Sequence, residues 1–220
     1  RSLRLASGSN DNIIRLWDTD SGKLIRELKI EGEEGWVDSV AFSPDGNILA
    51  SSGYATIHLW RVSDGQHLQS LGTETVYDVA FSPDGQILAS ANWGETVRLW
   101  RVSDGQVLHN LHEHKGIVIG VDFSSNGNTP AALGSDNVIN LWRASDGQSL
   151  QTLKRERHTL DVNRVAISPD ANIIASVSWD DTVRLWRVSD GQQLHSMYAH
   201  KGRADAVAFS PDGRSNCCYR

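Results

Sequence analysis

An all-β fold made of one repeated, antiparallel four-stranded unit is what this sequence predicts, and three observations predict it. The phrase LWRVSDGQ stands at residues 59–66, 99–106 and 185–192, with LWRASDGQ at 141–148 and a degenerate LWDTDSGK at 16–23. A second phrase, VAFSPDG, stands at 40–46, 79–85 and 207–213, with VDFSSNG from Val121 and VAISPDA from Val165. The tryptophans that close the LW pairs, Trp17, Trp60, Trp100, Trp142 and Trp186, are separated by 43, 40, 42 and 44 residues. That period is the length of a propeller blade, a sheet of four short strands.

Within one period each strand has its own signal. Val37, Val40 and Phe42 begin an alternating apolar run that stops at the turn Ser43-Pro44-Asp45-Gly46. Ile48, Leu49 and Ala50 start a second run, and Ile57 to Trp60 form a third. Ser63-Asp64-Gly65-Gln66 then reverses the chain into a fourth, from His67 to Leu71. Proline fixes φ at one turn position and glycine supplies positive φ at another, so these links read as tight hairpins between antiparallel strands. No segment carries a helical period of useful length.

With these phrases, the chain resembles the WD40 repeat β-propellers along residues 1–213, leaving 214–220 as a C-terminal tail. The Trp-Asp pair itself survives only at Trp17-Asp18; the other copies carry Trp-Arg, and those arginines are expected on a solvated strand edge. The near-identity of the copies looks like bacterial members of the family. The resemblance implies blades whose strands run outward from a central channel. On that order the chain opens with the second strand of a blade, continues through four complete blades and finishes with a lone innermost strand near 204–209. Five blade equivalents result, four complete and one shared between the N- and C-terminal strands. A five-bladed ring, an arc of a larger propeller and arcs that assemble between chains all remain open, and a start at Arg1 favours a fragment of a longer protein.

The family also implies a hydrogen-bonded tetrad per blade: an indole N–H donates to a hydroxyl, which meets an imidazole held by a carboxylate. One copy has all four residues, His158, Ser176, Asp180 and Trp186, and His200 would complete another with Ser7, Asp11 and Trp17. A further copy has His114, Asp136 and Trp142 but Ala132 in place of the serine. The two remaining copies keep Ser51 or Ser90 yet place Tyr54 or Gly94 where the aspartate belongs. Serine, histidine and aspartate together invite a catalytic reading, but a triad is recognised by geometry and roles. These residues recur with the repeat, and no nucleophile elbow accompanies them. His112 and His114 read as a loop residue and a tetrad residue rather than a metal pair.

By the same resemblance, strand and turn positions on the top face bind partners. The residues there include Trp36, Asp38, Tyr77, Trp93, Ile117, Ile119, Asp161, Asn163, Trp179, Arg203 and Asp205. Of the chain's 8 tryptophans, the three outside the repeat, Trp36, Trp93 and Trp179, all fall on this set. Exposed aromatics are common anchors of protein interfaces. Asp38, Asp161 and Asp205 lie among them, which suits a basic peptide.

Composition narrows the function classes. A formal net charge of −6, with Lys and Arg scattered singly, gives no footprint for nucleic acid or an anionic membrane. No apolar stretch approaches a membrane span and no leader pattern opens the chain. The 2 cysteines, Cys217 and Cys218, are adjacent, which suits a reducing cytoplasm. The expectation is a non-catalytic, cofactor-free interaction scaffold or sensor that binds a protein or peptide. The rivals are a self-assembling unit whose open strand edges pair between chains, and an enzyme with its site in the channel. The last requires non-repeating His, Glu or Asp converging at the centre, and none is evident in the sequence.

Overall fold

The computed structural model describes residues 4–29, 35–72, 74–153, 162–199, 206–210 and 216–219, and every regular element among them is a β-strand. The first sheet holds β1 (Arg4–Gly8), β2 (Ile14–Asp18) and β3 (Leu24–Leu28). Four complete blades follow, each antiparallel and in chain order. Blade 1 is β4 (Val37–Phe42), β5 (Ile48–Gly53), β6 (Thr56–Arg61) and β7 (His67–Gly72). Blade 2 is β8 (Val76–Phe81), β9 (Ile87–Asn92), β10 (Val97–Arg101) and β11 (Val107–Leu111). Blade 3 is β12 (Val118–Phe123), β13 (Pro130–Gly134), β14 (Ile139–Trp142) and β15 (Ser149–Leu153). Blade 4 is β16 (Val162–Ile167), β17 (Ile173–Ser178), β18 (Thr182–Arg187) and β19 (Gln193–Tyr198). A last pair joins β20 (Ala206–Phe209) to β21 (Asn216–Tyr219).

The repeated phrases close the hairpins by short polar bonds. In the SPDG turns a serine hydroxyl donates to the carboxylate two residues on, Ser43 to Asp45, Ser82 to Asp84 and Ser168 to Asp170, each at 2.6 Å. The turn glycines Gly46 and Gly85 sit at φ 70° and 71°, a conformation that lacks a Cβ penalty only for glycine. In the SDGQ turns, Arg61, Arg101, Arg143 and Arg187 each reach the aspartate three residues on at 2.8–2.9 Å. The arginine that replaces the family aspartate therefore lies at the strand edge, as expected, and is tied to its own turn. In the first sheet Asp18 instead accepts the Ser21 hydroxyl at 2.6 Å.

The core lies between blades rather than within them. Leu59, Leu71 and Ile57 of blade 1 pack with Val76, Val79, Leu88 and Trp100 of blade 2. Trp142 of blade 3 packs in the same way against Leu99 and Leu111 of blade 2, and Trp186 of blade 4 against Leu141 and Leu153 of blade 3. Trp60, Trp100, Trp142 and Trp186 are thus each the apolar link to the preceding sheet, and burying such a ring contributes more than any single hydrogen bond.

Five blade equivalents are present, and among the described residues the one at the chain ends stands as two separate sheets. β1 pairs with β2 alone among the described strands, and β20 takes β21 as its partner. Residues 216–219, expected within a tail, are that strand. A local hairpin closes a short loop, whereas pairing with β1 would close nearly the whole chain, and closure entropy favours the short loop. The inner strands β4, β8, β12 and β16 still pack successively, with β20 against β16. Residues of all five, among them Ser39, Asp78, Val121, Arg164 and Val207, line a common channel of about 500 Å³.

Candidate functional site

Four indoles make the bond the tetrad demands: Trp60 to Ser51, Trp100 to Ser90 and Trp186 to Ser176 at 2.9 Å, and Trp17 to Ser7 at 3.1 Å. Asp11 and Asp180 stand in their turns, accepting the amides of Ile13 at 3.0 Å and Thr182 at 3.1 Å. Their expected histidines, His200 and His158, lie outside the described residues. In blade 3 the other half of the tetrad is visible. His114 Nδ1 lies 3.1 Å from Asp136, which also accepts the Lys115 amide at 2.9 Å. Burial alone would raise the Asp136 pKa, but the imidazole and the backbone donors outweigh it and hold it below its ordinary value. With Ala132 at the serine position, His114 Nε2 is buried without a hydrogen-bond partner. The same holds for both polar atoms of Asn140, which pairs with Ala132 across the strands. The serine hydroxyls accept from tryptophans, so each of these bonds ties two neighbouring strands of its sheet.

A different constellation occupies the tops of blades 1 and 2. Trp36 enters β4 and meets Tyr54, in the β5–β6 turn, edge to face with ring centroids 5.8 Å apart. Tyr77 on β8 stacks on Trp93, in the β9–β10 turn, at 6.0 Å. The two turns are held over the inner strands by backbone contacts. The Trp93 amide donates to the Thr75 carbonyl at 2.9 Å, and a Cβ at Gly53 would meet the Trp36 carbonyl at 1.9 Å. Both aromatic pairs, with Glu74 and Thr75, line one open cavity of about 340 Å³. Trp36, Tyr54 and Trp93 are 42%, 63% and 56% exposed. Their faces are thus offered outward rather than packed into neighbouring loops.

Two carboxylates sit at this cavity's margin. The Trp36 indole donates to Asp38 at 2.6 Å. Burial raises the Asp38 pKa above its ordinary value despite that bond, and desolvation together with the Asp38 charge raises that of the Tyr77 hydroxyl. Glu74 folds over Gly94, where a Cβ would meet its Oε2 at 1.8 Å, and pairs with Arg98 at 3.0 Å. This ion pair ties the blade at the place where the tetrad's histidine and aspartate are missing.

The channel holds charged residues that the sequence reading overlooked. Asp78 accepts the Ser39 hydroxyl at 2.8 Å and the Val121 amide at 3.2 Å, and Arg164 reaches it from blade 4 at 2.5 Å. Asp122 accepts the Ile167 amide at 2.9 Å and the Phe123 amide at 2.8 Å. Desolvation pushes its pKa up to about 6 against those amides, with the Asp78 charge adding to the rise and Arg164 opposing it. Non-repeating acids therefore do converge at the centre, contrary to expectation. Asp78 is engaged by donors of blades 1, 3 and 4, and Asp122 by the Ile167 amide of blade 4 beside its own neighbour Phe123, which makes both acids ties between blades. The available signal was positional: one place on the inner strand carries Ser39, Asp78, Gly120, Arg164 and Ala206, and two places on Asp122 replaces the alanine of 41, 80, 166 and 208. Among the described residues no cluster of three or more His, Cys, Asp or Glu is placed to hold a metal, and no helix is long and apolar enough to cross a membrane.

The family model described as WD domain, G-beta repeat matches residues 1–18, 22–61, 65–101, 105–143 and 147–187. The chain belongs to the WD40 repeat family. Its relatives include ribosome assembly protein 4 of Chaetomium thermophilum, 52% identical over 48 residues, or 22% of this chain and 9% of that protein. The small ribosomal subunit protein RACK1y of Oryza sativa subsp. japonica is 40% identical over 68 residues, 30% of this chain and 20% of that protein. Apoptotic protease-activating factor 1 of Homo sapiens is 36% identical over 78 residues, 33% of this chain and 6% of that protein. The chain thus matches only short parts of these WD40 relatives. What it shares with such differently named proteins is the repeat.

Among the expected top-face residues, the WD40 scaffold brings Trp36, Asp38, Tyr77 and Trp93 together. Ile117 and Ile119 are half-buried at the entry of β12, where the Ile117 carbonyl accepts the Ser135 amide at 2.8 Å, and neither lines the aromatic cavity. Trp179 is half-buried in the turn after β17 and also stands outside that cavity. Asp161, Arg203 and Asp205 lie outside the described residues, as does the Asn163 side chain. Tyr54 and Glu74 were missed. Tyr54 announced itself as an aromatic at a tetrad-aspartate position, whereas Glu74 became meaningful only through its approach to Gly94 and Arg98.

Proposed function

We propose that this chain is a non-catalytic interaction module that docks a protein or peptide on the tops of blades 1 and 2. The observation that carries the reading is the pair of aromatic contacts held open around one cavity. Tryptophan and tyrosine supply large contact area with few rotors to immobilise, which is why they anchor interfaces. Asp38 and Glu74 at the margin favour a basic segment over an acidic one. A −6 chain without a basic block argues against nucleic acid and anionic membranes as partners.

The test is peptide-display selection on the whole chain. Recovered peptides should lose binding at least tenfold to Trp36→Ala and Trp93→Ala, and keep it with Leu150→Gln on an outer strand. Equal binding by all variants would refute the docking site.

A second reading, assembly between copies, is favoured by the edge of β1, which has no second strand partner among the described residues and exposes Leu5. Light scattering across concentrations separates the two: a steady 24.2 kDa speaks for the monomeric module, and a mass that climbs speaks for assembly.

A further inference from the structure

We propose that the outer strands of blade 1 carry a binding site for one divalent late first-row transition-metal ion, of the zinc class, held by His58, His67 and Ser70; it is separate from the docking site proposed above. His58 lies on β6, and His67 and Ser70 lie on β7, where the register sets His58 opposite Ser70 and His67 opposite Trp60. His58 Nδ1 is 3.2 Å from His67 Nε2 and 3.1 Å from Ser70 Oγ, and Ser70 Oγ is 3.2 Å from His67 Nε2. Three donor atoms thus form a nearly equilateral triangle. Zinc–nitrogen bonds of about 2.0–2.1 Å set neighbouring ligands of a tetrahedral ion about 3.3 Å apart, so a point just off the plane of this triangle lies at bonding distance from all three. Two imidazoles suit zinc or copper, whereas calcium and magnesium take oxygen ligands.

The histidines are a departure of blade 1 from the repeat. Where His58 stands, the other sheets carry Arg15, Arg98, Asn140 and Arg184. Where His67 stands, opposite the repeat tryptophan, they carry Leu24, Val107, Ser149 and Gln193. Two of those arginines reach straight across to an acceptor on the next strand, Arg15 to Glu27 at 2.9 Å and Arg98 to Asn110 at 3.2 Å. Blade 1 has an imidazole in the arginine's place and a second one diagonal to it, so the polar tie between these strands becomes a pair of metal donors. The rings are also held in place. The centroid of the buried Trp60 ring is 5.1 Å from that of His67 and 6.0 Å from that of His58, and the two imidazole centroids are 5.2 Å apart. Donors set on paired strands and braced by an indole lose little freedom when an ion arrives, which favours binding. His67 and Ser70 are exposed, so the ion enters from solvent. Three protein donors leave a fourth position to water, unlike the closed four-ligand set of a structural zinc, so the ion is exchangeable and the blade folds without it.

The experiment titrates the whole chain, isotope-labelled at its histidine rings, with Zn²⁺ at constant pH and with Mg²⁺ as the comparison ion, following the ring signals by NMR. His58→Gln and His67→Gln assign the two signals. The expected result is that both shift together along a single saturating curve with Zn²⁺, return on addition of a chelator, and stay still with Mg²⁺. His67→Gln should weaken Zn²⁺ binding at His58 at least tenfold, and His58→Gln should do the same at His67, because each removes half of a chelate. Ser70→Ala should weaken it a few-fold, and His112→Gln, outside the site, should leave both curves unchanged. An unchanged His58 titration in His67→Gln would mean two separate imidazoles and overturn the shared site. No shift of either signal at millimolar Zn²⁺ would leave a hydrogen-bonded histidine pair only and overturn the proposal outright. An equal response to Mg²⁺ would overturn the class of ion. None of these outcomes bears on the docking site, which the display selection tests by itself.

Discussion

Blades 1 and 2 on one side, and blade 3 on the other, have lost opposite halves of the same network. Blades 1 and 2 keep the buried bond from Trp60 to Ser51 and from Trp100 to Ser90, and have Tyr54 and Gly94 at the aspartate position. Blade 3 keeps His114 against Asp136 and has Ala132 where the hydroxyl belongs. The consequences differ with the half that is lost. Losing the aspartate frees a turn on the top face: in blade 1 Tyr54 stands in its place, and in blade 2 Glu74 folds over Gly94 beside Trp93. Losing the serine leaves the top-face tie intact but strands polar atoms inside the sheet, His114 Nε2 and both polar atoms of Asn140. The aspartate half of the tetrad thus gives way to exposed aromatic surface, whereas loss of the serine leaves buried polar atoms unpaired.

The largest expected effect breaks this comparison within blade 2. Trp100 is 3% exposed and Trp93, seven positions earlier, is 56% exposed. Trp100→Ala should cost about 3–5 kcal/mol in chemical denaturation, since it removes a packed ring and orphans Ser90. Trp93→Ala should stay within about 0.5 kcal/mol of wild type. Equal losses would mean that the exposed ring is structural after all.

Next, His114→Ala in blade 3 should cost about 2–3 kcal/mol, because Asp136 keeps its half-buried charge and loses its imidazole. An acid limb below about pH 4 should shrink with it, since a carboxylate with a depressed pKa contributes stability that is lost as pH falls through that value.

Asp122 has the opposite sign. Its folded pKa of about 6 lies above the unfolded value, so between the two the folded state binds the extra proton. Its contribution favours folding at low pH and fades as pH rises from about 4 through 6. Asp122→Asn should flatten stability over that window, read as denaturation midpoints at pH 4, 5, 6 and 7, while the acid limb persists. An unchanged slope would show that the channel tie is not what titrates.

The smallest effect sharpens the comparison. Ala132→Ser should raise stability by about 0.5–1.5 kcal/mol by giving His114 a partner and completing the tetrad of blade 3. A neutral or adverse result would mean that the strand spacing at Ala132 no longer admits the hydroxyl.

Much of this was legible because repetition converts one local reading into several. The hairpin chemistry of Ser43-Pro44-Asp45-Gly46 and of Ser63-Asp64-Gly65-Gln66 appears in the structure where the sequence put it, as do the four tryptophan–serine bonds. Trp36 and Trp93 were visible because they break the repeat. Residues 216–219 were illegible as a strand, since RSNCCYR has no alternating pattern and its pairing depends on the free edge of β20.

By itself, the sequence determined the all-β class, the period and the strand and turn positions, because these depend on residues near one another in the chain, and the resemblance it carries implied the Trp–Ser bonds. Only the tertiary structure decided which side chains meet on the top face and across the channel. Tyr54 joins Trp36 while Tyr77 joins Trp93 over a common cavity, Glu74 lies over Gly94 and pairs with Arg98, and Arg164 spans the channel to Asp78. The physical reason is that the period fixes where each blade begins, but contacts at the top face and across the channel depend on the angle between packed sheets and on the space that small residues such as Gly94 leave open.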